Sequence, residues 1–363
     1  VLIGFDPDFK LKLFQDLFED IKKSKNSYSR DFLVTQGNTN IILTFGNGGL
    51  HSINENEQYY SNDTHKVMTS DVESLYPNFI INFKCIRFLE VLNQYIDIKV
   101  ERIIAKKNKE KVKDKFFKLI LNGISGLIDM EYSWLYFPEG AMRLRLIGQL
   151  TLTKLIETCI LNEWQVVSAN TDGIEVIVPV EDLEKYENVL DETIKLFNAK
   201  LEHEQYDKII YKNVNNYLAV TKKGKVKRKG FFKLAFDEEG NREIPLGDSC
   251  DELIISKALN AFYTKNISPK EFITSPDKYD INIYDYCKSN KISKDFTVYH
   301  NGQKQQNLNR YYFCKTAPYL FKRKQDVGTF QHVNVNEGVK IFNTYEKKLW
   351  DEYKINYQYY ITK

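Results

Sequence analysis

Two apolar runs on either side of the tripeptide Thr-Asp-Gly constrain the fold of this chain more than any other feature of its sequence. In WQVVSANTDGIEVIV, residues 164–178, β-branched residues precede and follow this tripeptide. Asp-Gly is a favoured dipeptide in tight hairpin turns, because such turns need a positive φ that glycine tolerates. The stretch therefore predicts a β-hairpin with Asp172 at its tip and with the amide of Asn170 two residues earlier.

A second acid stands at the end of another predicted strand. The segment HKVMTSDVESLYPNFI, residues 65–80, begins as a short strand, and Pro77 breaks the pattern soon after Asp71. If this strand lies beside the hairpin in one sheet, Asp71 and Asp172 can converge on a hard cation. Mg²⁺ suits such a site, because it binds through one or two carboxylates together with substrate phosphates and waters.

Between the two acids the apolar spacing predicts helices over residues 93–107 and 112–124, joined by the polar KNKEK as an antiparallel pair. Longer helices are expected over residues 141–162 and 181–201. Lys118 and Asn122 are four residues apart and therefore share one helix face.

Basic residues are concentrated in two runs, although the net charge is only +3. Residues 99–118 hold nine Lys or Arg against three acids, and residues 221–236 hold seven with no acid. One such run is commonly a solvated face, but two together favour a polyanionic partner.

Composition indicates a folded protein of several lobes. The chain has 363 residues, with 24 Tyr and 23 Phe. Its five cysteines are far apart and form no C-x-x-C pair, which indicates reduced thiols in a cytosolic compartment. No apolar run approaches the roughly 20 residues of a membrane span, so no membrane partner is expected.

Three motifs in order, DVESLYP at 71–77, KLILNGISG at 118–126 and NTDG at 170–173, resemble motifs A, B and C of the family B DNA polymerases. The usual patterns are D-x-x-S-L-Y-P, K-x-x-x-N-S-x-Y-G and Y-x-D-T-D-S. The first matches at every fixed position, and the other two match in part. The resemblance is to compact, phage-like members that use a nucleic-acid primer, because no insertions typical of protein-primed members separate the motifs.

The resemblance implies an α+β fold of the right-hand polymerase type, with an antiparallel palm sheet, helical fingers and a mostly helical thumb. The expected domains are a lead-in over residues 1–40 with a helix from Phe9 to Lys23, a palm over 41–92 and 128–235, fingers over 93–127, and a thumb over 236–363.

The resemblance also implies the roles of individual residues in template-directed DNA synthesis from dNTPs on primer–template DNA. Asp71 and Asp172 would hold two Mg²⁺ ions, for which Mn²⁺ can substitute, with the carbonyl of Val72 as a further ligand. Tyr76 would lie under the sugar and exclude a 2′-hydroxyl. The implied triphosphate contacts are the backbone N–H groups of Ser74 and Leu75 and the side chains of Arg102, Lys118 and Asn122, with Lys106 as a weaker candidate. The implied DNA contacts are Gly48, Gly49, Tyr217, Lys227, Lys229 and Gly230.

Several positions depart from the family patterns. Gly123 and Ser125 replace Ser and Tyr in the second motif, and Asn170 and Gly173 replace Asp and Ser in the third. An amide can stand at position 170, because Asn170 still accepts hydrogen bonds and removes a like charge near Asp172. We expect Asn170→Asp to stay active and Asp172→Asn to be inactive. Glu175 is a further candidate ligand.

Two rival hypotheses remain open at the level of sequence. The chain could be a non-catalytic DNA-binding relic of the same fold, or a metal-dependent nuclease built on Asp71-x-Glu73. The nuclease hypothesis lacks companion carboxylates, and no proofreading motif is visible, so a 3′–5′ exonuclease is expected to be missing or separate.

Overall fold

The chain divides into two units, residues 1–227 and 228–363. The structure, a computed structural model, describes residues 29–46, 48–324, 328–333 and 337–363. The helix predicted from Phe9 to Lys23 lies outside the described residues.

The first unit is built around β-strands that alternate apolar and polar residues. Its described strands are β1 (Ser29–Gln36), β2 (Thr39–Gly46), β3 (Gly49–Ser52), β4 (Gln58–Tyr60), β5 (His65–Val72), β6 (Gln165–Asn170), β7 (Gly173–Pro179), β8 (Leu201–Asn213), β9 (Asn216–Thr221) and β10 (Val226–Arg228). They form one sheet in the order β1-β2-β3-β6-β7-β5-β8-β9-β10, and β4 pairs with β8. Strand β1 lies within the predicted lead-in over residues 1–40.

Four of the five described helices of the first unit lie close to their predicted positions, and the fifth, which contains Pro77, was not predicted. The five are α1 (Leu75–Asn82), α2 (Leu89–Lys107), α3 (Lys111–Leu127), α4 (Pro138–Leu161) and α5 (Leu183–Lys195), and a 3₁₀ turn covers Val180–Asp182. Helix α4 buries a broad apolar stripe, as its spacing predicts. With its antiparallel strands, the unit is α+β, which agrees with the predicted class at this level.

The two faces of the sheet differ, because neighbouring residues of a strand point to opposite sides. On one face Met68, Ile174 and Val176 belong to the core cluster that α4 and α5 complete. On the other face Val67 and Tyr206 belong to a smaller cluster rich in tyrosine. Asp71, at an even number of residues from Val67, lies on this second face, away from the main core.

The second unit contains both sheets and helices, so the prediction of a mostly helical thumb is wrong. Its described helices are α6 (Leu253–Lys265), α7 (Pro269–Thr274), α8 (Ile283–Tyr286), α9 (Trp350–Tyr353) and α10 (Tyr357–Ile361), preceded by a 3₁₀ turn at Gly230–Phe232. Its described strands are β11 (Lys288–Lys291), β12 (Phe296–His300), β13 (Gln303–Gln305), β14 (Leu308–Phe313), β15 (Leu320–Lys324), β16 (Phe330–His332) and β17 (Val339–Ile341). They form two antiparallel sheets, β11-β14-β17 and β13-β12-β15-β16.

These strands were not predicted from the sequence, because all seven have only three to six residues. Short runs mixing Lys, Tyr and Phe show neither clean alternation nor a helical period. Their strand conformation depends on packing against the buried cluster of this unit.

All five cysteines are free, and four of them are buried. Within the described ranges, every helix is too short or too polar to traverse a lipid bilayer.

Candidate active site

The predicted hairpin is formed by β6 and β7, with Thr171 and Asp172 as the turn. The Asp172 N–H donates to the carbonyl oxygen of Asn170 at an N-to-O distance of 2.6 Å. The positive φ that the turn needs falls on Thr171, at 56°, and not on glycine. Gly173 is instead the first residue of β7, so its presence in the motif has another cause.

That cause is the carboxylate of Asp71. Asp71 lies directly opposite Gly173 in the pairing of β5 with β7. A Cβ atom placed on Gly173 would be 2.0 Å from Asp71 Oδ1 and 3.1 Å from Asp71 Cγ. A side chain at this position would displace the Asp71 carboxylate from its place against the neighbouring strand.

The two predicted acids therefore emerge at the same end of adjacent strands. The Val72 N–H donates to the carbonyl oxygen of Asp172 at 2.7 Å, which fastens the end of β5 to the hairpin turn. Asp71 is half-buried and Asp172 is exposed. Burial raises the pKa of the nearby Tyr76 hydroxyl, and the negative charge of Asp172 adds to the increase.

A third acid, missed by the sequence analysis, faces Asp71 from the other neighbouring strand. Glu202 on β8 pairs directly with Asp71 on β5. Its side chain is 64% exposed, and its Oε1 lies 3.8 Å from Lys106 Nζ. The alternation Glu-His-Glu in LEHEQY, which puts Glu202 and Glu204 on one face of a strand, is the signal that could have identified it.

The donor set fits a cation that keeps open coordination positions. Among the described residues no group of three or more His, Cys, Asp or Glu side chains is close enough to enclose a metal ion. Two carboxylates on an accessible sheet end suit Mg²⁺, which usually completes its sphere with waters and substrate phosphates.

Glu175, the further candidate, lies on the same face of the sheet but is buried. Its Oε1 is 3.5 Å from the hydroxyl of Thr69, its cross-strand partner. Burial raises the pKa of Glu175 to about 7, and the charge of Asp71 contributes to the increase. A buried carboxyl of this kind is a poor metal ligand while it holds its proton.

Asn170 connects three segments through its amide. Its Oδ1 lies 2.9 Å from His51 Nδ1 on β3, and its Nδ2 donates to the carbonyl oxygen of Val214 at 3.3 Å and to Asn215 Oδ1 at 3.4 Å. Val214 and Asn215 form the turn that leads to Tyr217. An aspartate could accept from His51 but could not donate to either oxygen of the turn.

The glycine loop, which contains Gly46, Gly48 and Gly49 and leads into β3, is hydrogen-bonded to α4. Gln149, a buried polar residue within the apolar stripe of α4, donates through Nε2 to the carbonyl oxygens of Gly46 at 2.7 Å and Gly49 at 3.3 Å. Gly49 has a φ of 124°, which favours glycine, and its Cβ position would lie 3.7 Å from Thr171. The loop therefore lies against the hairpin turn.

Two cavities are lined by residues that are close in sequence to the acids, although neither Asp71 nor Asp172 is among the lining residues. The first brings the glycine loop together with Tyr76, and it is lined by Gly48, Gly49, Leu75, Tyr76, Ser125, Gly126, Asp129, Ala141, Leu144, Arg145, Gly148, Gln149 and Thr171. The second is strongly basic and is lined by Glu73, Ser74, Asn78, Lys99, Arg102, Ile103, Lys106, Asn198, Ala199 and Lys200.

In the basic cavity Lys99, Arg102 and Lys106 follow one face of α2. Arg102 Nε donates to Asp114 Oδ1 at 3.0 Å, which ties α2 to α3. Lys99 Nζ donates to Asn78 Oδ1 at 2.5 Å, and burial lowers the pKa of Lys99.

Ser74 borders the same cavity in the left-handed conformation, with φ 49°. Because Ser74 is the N-cap residue of α1, the first N–H groups of this helix have no intrahelical acceptor. The predicted phosphate contacts from Ser74 and Arg102 are thus brought together. By contrast, Lys118 and Asn122 are exposed on α3 and do not belong to the residues lining either cavity.

The residues predicted to contact the primer and duplex fall in both units. Tyr217 is half-buried beside Tyr211, with ring centroids 5.7 Å apart, and burial raises its pKa. Lys227 forms an ion pair with Glu204 at 2.6 Å. Lys229 and Gly230 belong to the second unit, where Lys229 is exposed and Gly230 begins the 3₁₀ turn.

No protein-family model matches the chain, and no curated protein matches it. Among solved structures, the chain is similar to the family B DNA polymerase from the hyperthermophilic archaeon Pyrobaculum calidifontis, at 13% sequence identity and a TM-score of 0.48. The similarity covers 86% of this chain and 44% of that polymerase, so the chain spans less than half of the polymerase's length. Likeness at this level carries no inference about activity, substrate or partners.

Proposed function

We propose that this chain performs template-directed DNA synthesis, adding dNTPs to the 3′-OH of a primer by metal-assisted nucleotidyl transfer. The observation that carries the proposal is the placement of Asp71 and Asp172 at one end of adjacent strands, with Gly173 leaving room for the Asp71 carboxylate. The order of the three polymerase-like motifs supports the same assignment.

The residues of the candidate site would have different roles, according to where they lie. Asp71 and Asp172 would hold Mg²⁺ or Mn²⁺, together with the carbonyl of Val72. When bound, such ions activate the attacking 3′-oxygen and stabilise the charge on the leaving pyrophosphate. Glu202, opposite Asp71, adds negative potential near the same point.

The basic cavity would receive the triphosphate of the incoming nucleotide. Lys99, Arg102 and Lys106 supply positive charge along one face of α2, and the start of α1 supplies backbone N–H donors. Positive charge fixed beside the phosphates orients the α-phosphorus for in-line attack and lowers the cost of charge development.

Tyr76 and the glycine loop share the other cavity, which would hold the sugar, the base and the template strand. Tyr76 lies near Asp172 and would reject a 2′-hydroxyl by occupying its space. Asn170 of the hairpin donates a hydrogen bond to Asn215, which lies in the turn before Tyr217. Tyr217 would support the primer end. A 3′–5′ exonuclease would act as a separate domain or chain.

Primer extension with purified protein tests this proposal. A labelled primer annealed to a longer template is incubated with dNTPs and either Mg²⁺ or Mn²⁺. We expect the wild type to extend the primer and Asp71→Asn or Asp172→Asn to lose at least about 10³-fold in rate, because each removes a charged metal ligand.

Asp207→Asn is the matched control, since Asp207 is an exposed acid on β8 of the same sheet, and it should extend like the wild type. Binding of primed DNA without extension in either metal would support the non-catalytic relic. Metal-dependent shortening of a labelled single strand that is abolished by Asp71→Asn would support the nuclease.

A further inference from the structure

The sheet β13-β12-β15-β16 of the second unit has one buried face and one accessible face. Val298 on β12 and Leu320 on β15 are 0% and 5% exposed and belong to the core of this unit. Their neighbours in the strands point the opposite way. This arrangement leaves a sheet face whose residues can be identified from the strand pairing.

We call this the outer face, and two cross-strand rows define it. Lys304, Tyr299, Phe321 and His332 lie opposite one another in one row, and Thr297, Arg323 and Phe330 form the next. Arg323 and Phe330 are exposed, Phe330 by 52%. Tyr299 and Phe321 are half-buried.

The aromatic rings of the outer face hold one another in place. Phe330 packs edge to face against Tyr299 and Phe321, with ring centroids 5.4 and 6.3 Å apart. Phe321 also contacts the ring of His332 at 4.6 Å. Rings fixed by such contacts lose little freedom when a ligand stacks on them.

The charge of this sheet has one sign. Lys304 and Arg323 lie on the outer face, whereas Lys322 and Lys324 lie at strand positions that face the other side, and none of the four strands contains an acidic residue. The guanidinium of Arg323 lies 5.5 Å from the centroid of Phe330, so a cation and an exposed ring adjoin. Aromatic faces interleaved with cations on an open sheet are suited to unpaired bases and the phosphates between them.

We propose that the outer face binds single-stranded DNA, with bases stacking on Phe330 and Tyr299 and with Arg323 and Lys304 contacting phosphates. Because neighbouring strands are about 4.8 Å apart, the rows accommodate two or three nucleotides. The choice of DNA over RNA rests on the proposed function, whereas the stacking surface does not. This binding site is separate from the candidate active site and needs no metal ion.

The test measures binding of a fluorescent oligo(dT) of about eight nucleotides to the full chain by anisotropy. Phe330→Ala should weaken binding by about 5- to 150-fold, because it removes one stacking platform. Phe330→Trp should restore binding, and Tyr345→Ala, at an exposed aromatic outside the sheet, should bind like the wild type. Affinity for an abasic strand of equal length should be the same in Phe330→Ala and the wild type.

The charge contribution is measured separately. Arg323→Gln should weaken the binding of both oligo(dT) and the abasic oligonucleotide. It should also reduce the slope of log affinity against log salt by about 0.7. The Phe330→Ala variant should extend a primer on saturating primed template at the wild-type rate. Failure of the single-stranded DNA proposal is therefore distinguishable from failure of the proposed polymerase activity. Unchanged oligo(dT) affinity in both Phe330→Ala and Tyr299→Ala would overturn the proposal, and tighter binding of oligo(U) at this face would overturn DNA as its ligand.

Discussion

At the scale of single residues, Gly173 shows how an absent side chain can set the position of a charged one. Its backbone does not have positive φ, so conformational freedom does not account for the glycine. The narrow space beside Asp71 Oδ1 accounts for the glycine instead, because a Cβ atom there would displace the carboxylate. Position 173 in the third motif is therefore coupled to Asp71 in the first motif through the pairing of β5 with β7.

Gly173→Ala tests this coupling. The added methyl group would push the Asp71 carboxylate from its place, and we expect primer extension to fall by about 10²-fold or more, since small displacements of a reacting group are costly. Titration with Mn²⁺ should show weaker metal binding in the same variant. Gly247→Ala is the control, because a Cβ on Gly247 meets no atom within 4 Å. Full metal affinity in Gly173→Ala would contradict the steric explanation.

Asn170 is the second residue whose role depends on its neighbours. From the sequence, Asn170→Asp is expected to stay active, since the family pattern has an acid there. The structure adds two donor contacts from Nδ2, to Val214 and Asn215, that a carboxylate cannot make. Their loss affects the turn before Tyr217 and leaves the Asp71 and Asp172 carboxylates in place.

We therefore expect Asn170→Asp to keep its kcat and to raise KM for primer–template by about fivefold, which corresponds to about 1 kcal/mol for a lost hydrogen bond. Steady-state extension kinetics measure both constants. Asn213→Asp is the matched control, because the Asn213 side-chain oxygen accepts from Asn215 and Asn216 and a carboxylate preserves both contacts. A fall in kcat alone would show that Asn170 acts on the reacting groups.

At the scale of elements, the helix pair α2–α3 was predicted correctly as a basic antiparallel pair, but periodicity did not show which face meets the sheet end. In the structure α2 presents Lys99, Arg102 and Lys106 to the cavity beside Ser74. Lys118 and Asn122 of α3 stay exposed. The residues of α2 are therefore the stronger candidates for holding phosphate in this conformation.

Arg102→Gln tests the role of α2. Removing a charge that is only 16% exposed should raise KM for dNTP by about tenfold or more, because charge-assisted hydrogen bonds to phosphate are among the stronger polar contacts. Lys115→Gln, on the exposed surface of α3, should leave KM for dNTP unchanged. Since Arg102 also pairs with Asp114, thermal unfolding of both variants shows whether the helix pair has loosened. An unchanged KM in a stable Arg102→Gln variant would remove Arg102 from the nucleotide site.

At the scale of the whole molecule, the sequence by itself determined the hairpin at Asp172, the strand ending at Asp71 and four helices of the first unit. These features follow from the spacing of apolar residues and from turn residues, which act over a few neighbouring positions. Only the tertiary structure decided that Gly173 makes room for Asp71, that Glu202 faces the same carboxylate and that Asn170 joins three segments. Each of these depends on strand register between residues far apart in the chain, and register is selected by burial of one sheet face rather than by local sequence. The sheets of the second unit were missed for the same reason, because their short strands are held by the core they build together.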